Sequence, residues 1–361
     1  MLYCIGKAGI RMKTVILPMR QGIDEDGIRS AGEILKKGGL VAFPTETVYG
    51  LGADALDEKA SAKIYQAKGR PSDNPLIIHI ADWEAIHRIA SEIPREARLL
   101  ADAFWPGPLT MILKKSEEVP SGTTGGLSTV AVRMPDHEIA QALIRAGGGY
   151  VAAPSANTSG RPSPTAAKHV AEDMDGVIDM IIDGGEVAIG LESTIVDLTE
   201  GVPTILRPGY INQEMLEKIV GRVEVDRALI SDDSSIKPKA PGMKYRHYAP
   251  RAELIIVEGA ADQVRDRINE LVSENQAAGR QCGVIGTDES LNCYQCKQVK
   301  SIGSREDELT IAQHLYSILR EFDQLDIDVI YSESFETPQM GQAIMNRLIK
   351  AAGHQIIHVD R

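Results

Sequence analysis

The chain has 361 residues, 43% apolar and 25% charged, which fits a globular protein of two domains. Aromatic residues are only 4% and the formal net charge is −12, which argue against a base-stacking surface or a generally basic coat for nucleic acid. No apolar run approaches the ~20 residues that span a bilayer, and no signal-peptide pattern opens the chain, so a cytoplasmic location without membrane attachment is expected.

Residues 1–12 read as irregular, with Met12 an alternative start. Residues 14–18 read as a strand, and 26–37 as a helix with Ile28, Ile34 and Leu35 on one face and Gly38-Gly39 as its stop. A buried strand over 40–43 ends at Pro44-Thr45-Glu46-Thr47. The glycines of Val48-Tyr49-Gly50-Leu51-Gly52 suit a tight backbone or the close approach of a ligand. A helix over 58–67 delivers Lys68 to the turn Gly69-Arg70-Pro71-Ser72-Asp73-Asn74-Pro75, and a strand follows over 76–80. Residues 83–103 read as largely helical, interrupted near Pro94. The rigid connector Phe104-Trp105-Pro106-Gly107-Pro108 leads to a strand over 109–113. Further strands are expected at 129–134, 151–153, 180–183, 193–198 and 203–207, with helices at 137–146, 165–174 and 212–220.

Near residue 226 the composition shifts to a polar, Pro/Gly-rich linker. It ends in Met243-Lys244-Tyr245-Arg246-His247-Tyr248-Ala249-Pro250, too aromatic and basic for a passive tether. Beyond it, strands at 254–257, 282–286, 329–331 and 356–359 alternate with helices at 263–276, 308–322 and 341–351. That alternation predicts a smaller, Rossmann-like parallel α/β domain. The expected division is a catalytic α/β domain over 13–225, a linker or lid over 226–250 and a C-terminal domain over 251–361. Cys4, Cys282, Cys293 and Cys296 are too few for a disulfide framework, and the lone Cys293-Tyr-Gln-Cys296 lacks two further zinc ligands, so no protein metal site is expected.

In the first domain polar clusters stand at strand ends, where ligands of open α/β sheets collect. Lys68 and Arg70, two residues apart on a Gly/Pro turn, offer a point charge and a planar fork to a polyanion. Arg133 lies in an apolar strand and needs an anionic partner, either a ligand or an internal carboxylate. His79 reads equally as a satisfied core histidine, Ser155-Ala156-Asn157 as a helix cap or turn, and Thr45 and Thr47 as ordinary strand formers. No Gly-x-Ser-x-Gly elbow, zinc-protease His pair or phosphate-binding Gly-x-x-x-x-Gly-Lys-Ser/Thr loop occurs. The chemistry therefore reads as positioning and charge stabilisation, as phosphoryl or nucleotidyl transfer requires.

Pro44-Thr45-Glu46-Thr47-Val48-Tyr49-Gly50-Leu51-Gly52, Lys68-x-Arg70-x-x-x-Asn74-Pro75, Phe104-Trp105-Pro106-Gly107-Pro108, Ser155-Ala156-Asn157 with Ser163, Glu192-Ser193-Thr194 and Arg207-Pro208-Gly209 resemble the YrdC family. The second domain and His247-Tyr248-Ala249-Pro250 resemble its long, two-domain form. The resemblance implies a twisted, open α/β fold with a basic cleft. It also implies a nucleotidyltransferase that converts L-threonine, bicarbonate or CO2, and ATP into L-threonylcarbamoyladenylate and pyrophosphate. Mg2+ is expected with the nucleotide. That reaction is the first step of N6-threonylcarbamoyladenosine formation in tRNA, which implies partner enzymes that accept the adenylate and a weak tRNA contact.

By the same resemblance Lys68 and Arg70 are catalytic and hold the ATP phosphates with Asn74; Thr129, Ser155, Asn157, Ser163 and Arg207 complete the nucleotide site, and Tyr248 closes over it. Thr47, His79, Arg133 and one of Ser193 and Thr194 hold L-threonine. Ala153 departs from the family, which often has threonine there, and removes one hydroxyl contact to the amino acid. The same residues allow two rival readings. A carbamoyltransferase of the hydrogenase-maturation type would need cysteine pairs and further domains, and a non-catalytic RNA-binding module fits poorly with the acidic charge and few aromatics.

Overall fold

The computed structural model describes residues 13–226, 248–335 and 338–359. Its N-terminal part is built on β1 (Val15–Pro18), β2 (Val41–Phe43), β3 (Gly50–Asp54), β4 (Ile77–His79), β5 (Ala90–Glu92), β6 (Leu109–Lys115), β7 (Thr129–Arg133), β8 (Val151–Ala152), β9 (Met180–Asp183), β10 (Thr194–Asp197), β11 (Thr204–Arg207) and β12 (Glu224–Val225). These join in one mixed sheet in the order β1-β9-β2-β3-β8-β4-β7-β6-β10-β11-β12, with β5 on β6. Around it pack α1 (Glu25–Lys36), α2 (Glu58–Lys68), α3 (Ile86–Ile89), α4 (Arg95–Phe104), α5 (Glu138–Ala146), α6 (Ala167–Met174) and α7 (Gln213–Val220).

Local chemistry sets the element ends that matter to function. Asp57 caps α2 by accepting from the Lys59 amide, and Gly69, at φ 59°, ends it in the left-handed region that favours glycine. Lys68 is thereby the last helical residue, buried where the helix meets the sheet. Two stretches only loosely defined by the sequence take a specific form here. The glycines of Val48–Gly52 belong to a central strand, Gly50–Asp54: a Cβ on Gly52 would lie 2.9 Å from Val151 and 3.0 Å from the Phe43 ring, so the close approach at Gly52 is that of neighbouring strands. The interruption expected near Pro94 within 83–103 is present, and it takes the form of a strand: the chain before Pro94 pairs as β5 against β6, and α4 restarts after that proline.

The C-terminal part holds β13 (Glu253–Glu258), β14 (Cys282–Gly286), β15 (Gln298–Ser301), β16 (Val329–Glu333) and β17 (Ile356–His358), with α8 (Ala261–Ala277), α9 (Glu308–Phe322) and α10 (Gly341–Ala351). All neighbouring strands are parallel, in the order β15-β14-β16-β13-β17. The parallel α/β layering is as expected, but this is not the 3-2-1-4-5 order of the dinucleotide-binding fold, because β16 inserts between β13 and β14. The polar edge strand β15 carries no alternating apolar pattern and was not anticipated.

The two sheets share a core: Val48, Ile189 and Leu191 pack with Leu254, Ile311, Leu315 and Tyr316. Gly190, at φ +86°, lets the chain pass α9 so closely that a Cβ would sit 2.5 Å from the Ala312 carbonyl oxygen. Beside it a buried ion cluster ties α9 to α6. Arg320, 1% exposed, donates to the Pro162 carbonyl at 2.6 Å, to Asp173 at 2.9 Å and to Glu172 at 3.3 Å. Asp173 is also paired with Arg161.

Removing one partner of a buried pair leaves an uncompensated charge, so Arg320→Ala is expected to cost about 3–5 kcal/mol of stability, measured by urea denaturation of the full chain. A loss below about 1 kcal/mol, the value of a surface pair, would show that the cluster is not structural. His169 adds a pH dependence. Its Nδ1 accepts from the Thr165 amide at 3.3 Å, and burial, with Arg320 nearby, pulls its pKa down to about 3. Its folded pKa lies below the unfolded one, so it favours folding above about pH 6.5 and loses that contribution as pH falls toward 3. Between pH 6.5 and 5 the stability of His169→Asn should fall less steeply than that of the parent, by up to about 1.4 kcal/mol per pH unit. Parallel slopes in the two proteins would refute this origin.

Candidate active site

Strand pairing brings the chemistry-bearing residues together over the middle strands of the N-terminal sheet. His79 at the end of β4 lies level with Arg133 at the end of parallel β7, and Arg133 lies level with Thr110 on antiparallel β6. Gly50 bridges to Ser155 after β8. Ser193 precedes β10, and Ile195 on that strand pairs with Arg207 at the end of β11. These termini surround a cleft of about 700 Å3, part of it open to solvent. Of the expected site residues, Lys68, Arg70, His79, Arg133, Ser155, Asn157, Ser193, Arg207 and Tyr248 line it.

The Lys68 ammonium donates to the carbonyl of Ser155 at 2.5 Å and to that of Asn157, so it anchors the loop after β8 as well as facing the cleft. Burial, then Arg70, holds its pKa well below the ordinary lysine value. Ser155 Oγ donates to Asn157 Oδ1 at 2.6 Å, and Asn157 Nδ2 donates to the carbonyls of Thr158 and Arg161 at 2.9 Å. Arg70 is half-buried and makes only long contacts, at 3.4 Å to the Asn74 carbonyl and 3.2 Å to that of Pro75. Burial brings its pKa down to about 10. Arg207 donates to the Ser193 carbonyl at 3.0 Å and hydroxyl at 3.1 Å. Among the described residues, no carboxylate forms an ion pair with Lys68, Arg70 or Arg207.

Arg133 differs: it meets the internal carboxylate Glu46 at 2.6 Å and donates to Thr47 Oγ1 at 2.9 Å. The two readings left open by the sequence thus resolve to a buried pair that still faces the cleft. Thr47 stands behind Arg133, held through the Thr45 hydroxyl at 2.9 Å. His79 is buried, its pKa pushed to about 3 first by burial and then by Arg133, so it is neutral at physiological pH. Of Ser193 and Thr194, only Ser193 lines the cleft; the Thr194 hydroxyl donates to the Ile211 carbonyl at 2.7 Å.

Three expected nucleotide ligands stand outside the cleft wall. Ser163 is fully buried and donates to Glu192 at 2.6 Å. Asn74 is buried with no partner for its Oδ1 among the described residues. Thr129 opens β7, pairs with Lys114, and lies about 13 Å of strand from Arg133. Ala153 presents its methyl to the cleft, with no hydroxyl there. Tyr248, 6% exposed, covers one side and stacks on Tyr316 with ring centres 5.0 Å apart. Residues 227–247 of the expected lid, His247 included, lie outside the described residues.

Thr45, weighed in the sequence as a site hydroxyl or a strand former, lines the cleft; sequence reasoning missed Val48, Ser159, Gly160 and Glu192 in its wall. Glu192 is the most consequential. Burial alone would raise its carboxyl, but Arg347 and Arg207 hold it down to about 2. Arg347 lies 155 residues downstream, beyond the reach of any local pattern.

Two families match the chain. One, described as telomere recombination and joining Sua5, YciO and YrdC, matches residues 33–209; the other, the threonylcarbamoyl-AMP synthase C-terminal domain, matches 211–353. The threonylcarbamoyl-AMP synthase of Pyrococcus abyssi is 53% identical over 346 residues, 96% of this chain and 100% of that protein. The Bacillus subtilis protein of the same name is 50% identical, with 91% of this chain and 94% of the relative covered. A solved structure of P. abyssi Sua5 in complex with L-threonine superposes with a TM-score of 0.92 at 52% identity, covering 96% of this chain and 100% of that one. In sequence and in fold, the chain therefore belongs to the Sua5/YciO/YrdC family, in the two-domain form that carries the threonylcarbamoyl-AMP synthase C-terminal domain.

Proposed function

We propose that this protein is a threonylcarbamoyl-AMP synthase, an ATP-using nucleotidyltransferase that makes L-threonylcarbamoyladenylate and pyrophosphate from L-threonine, bicarbonate or CO2, and ATP. The observation that carries this reading at the site is the set of cations Lys68, Arg70 and Arg207 facing one cleft without a paired carboxylate among the described residues. Such a set suits a polyphosphate. Mg2+ enters as part of the nucleotide substrate; among the described residues no group of three His, Cys, Asp or Glu side chains is arranged to hold a metal.

The threonine amine takes up CO2 to give a carbamate, releasing one proton. A carbamate oxygen attacks the α-phosphorus of ATP, the bond to the bridging oxygen breaks, and pyrophosphate leaves. No protein nucleophile is needed. Lys68 and Arg70 offset the charge that grows at the α-phosphate, and Arg207, Ser155 and Asn157 hold the rest of the nucleotide, with Asn74, Ser163 and Thr129 around them. L-Threonine sits toward His79, Arg133, Ser193 and Thr47. Neutral His79 adds no charge there, and Arg133 reaches the substrate carboxylate while keeping Glu46 as its counter-ion. Residues 13–225 act as the catalytic domain, 226–250 as a lid ending in Tyr248, and 251–361 as its support. A closed lid would keep water from the labile adenylate. The enzyme works in the cytoplasm and passes the adenylate to tRNA-modification enzymes, with a weak tRNA contact. Among the described residues no helix is long and apolar enough to cross a membrane.

The direct test is pyrophosphate release from Mg2+, ATP and bicarbonate, with and without L-threonine. Threonine-dependent release is expected; a folded protein that binds ATP yet releases nothing with threonine would overturn the assignment. Arg70→Ala should slow release about a hundredfold or more, the scale of losing one strong transition-state donor. Near-parental turnover in that variant would remove Arg70 from the chemistry.

A further inference from the structure

A carboxylate is out of place in a cleft for a polyanion, yet Glu192 stands in the wall beside Arg207, and it is buried. Unattended, it would repel phosphates and draw the Arg207 guanidinium toward itself. A carboxylate has about four lone-pair sites, and here three donors engage its two oxygens. Oε1 accepts from Ser163 at 2.6 Å and lies 3.1 Å from the Tyr316 oxygen. Oε2 accepts from Tyr316 at 2.9 Å and from Arg347 Nε at 3.1 Å. Arg347 also donates to the Glu192 carbonyl at 3.2 Å and to that of Pro208, the residue after Arg207. Tyr316 on α9 and Arg347 on α10 both come from the C-terminal part and are fully buried. Arg207 forms no ion pair with Glu192 and keeps its fork on Ser193.

We propose that Arg347, assisted by Tyr316, is a positioning residue for nucleotide binding: it pairs with Glu192 and so leaves the Arg207 guanidinium available to a phosphate. The C-terminal domain is then part of the electrostatics of the cleft as well as a support for the lid. This rests on the reading of the cleft as a nucleotide site. Loss of the Arg347 charge turns Glu192 toward Arg207, and the cleft loses a phosphate ligand while gaining a negative charge. L-Threonine, placed at the His79 and Arg133 end, is less affected.

The test is calorimetric titration of the full chain with Mg-ATP and, separately, with L-threonine, using Arg347→Gln, Tyr316→Phe and the double variant Glu192→Gln/Arg347→Gln. Thermal melts confirm that each protein is folded at the titration temperature. Arg347→Gln should weaken ATP binding about tenfold or more, with the threonine Kd within about twofold of the parent. Removing the orphaned charge in the double variant should bring ATP affinity back to within about threefold. Tyr316→Phe, which removes one donor and keeps the ring, should weaken ATP binding by about threefold. ATP binding as in the parent for both single variants would overturn the proposal. So would equal losses for ATP and threonine, or a double variant as weak as Arg347→Gln. If Arg347→Gln does not fold, Tyr316→Phe and the double variant decide by the same criteria. A parent chain that fails to bind Mg-ATP would instead overturn the nucleotide reading of the cleft.

Discussion

Gathering like charges in a desolvated cleft is the constraint that the rest of this structure answers. Each buried cation gives up hydration that only oriented dipoles or an opposite charge can replace. The fold uses a different answer for each. Lys68 is set among main-chain carbonyls of the loop after β8, Arg207 on the carbonyl and hydroxyl of Ser193, and Arg133 against Glu46. Arg70 stays half-exposed and only loosely held. The carbonyl-held cations keep their charge unspent, whereas the paired one is locally neutral. The cleft therefore has one region whose cations form no ion pairs among the described residues and one balanced region, an arrangement suited to a polyanion beside a zwitterion.

The same economy explains the inter-domain contact. Arg320, Tyr316 and Arg347 project from α9 and α10 into the N-terminal part, and their acceptors are Asp173, Pro162, Pro208 and Glu192. Pro162 lies on the loop that Lys68 holds from the other side, and Glu192 directly precedes Ser193. The second sheet is thus attached through the segments that shape the cleft. Gly190 allows the approach, and the apolar core shared by the two parts fixes it.

What was legible in the sequence follows from the range of the interactions. The helix that delivers Lys68, with Asp57 at one end and Gly69 at the other, is a local matter of caps and turn chemistry. The parallel C-terminal sheet showed in the alternation of apolar strands and amphipathic helices, although its strand order, set by packing, did not. The strand Gly50–Asp54 was not assigned, because glycine has the same signature in a tight turn and in a crowded central strand. Most cation and hydroxyl positions of the cleft were readable, because Arg133 in an apolar strand and two cations on a Gly/Pro turn are locally odd. Glu192 was quoted within a motif without a role, since its meaning depends on two side chains from another domain.

Lys68 sits at the carboxyl end of α2 and is already coordinated by carbonyl oxygens. An ammonium has three N–H donors, so with two of them on main-chain carbonyls one is left for an anion in the cleft. The two carbonyls, of Ser155 and Asn157, aim that remaining donor, and they belong to the loop that runs on to Pro162. Arg320 grips the same loop at its far end, so the direction of the Lys68 charge depends in part on a side chain from the C-terminal part.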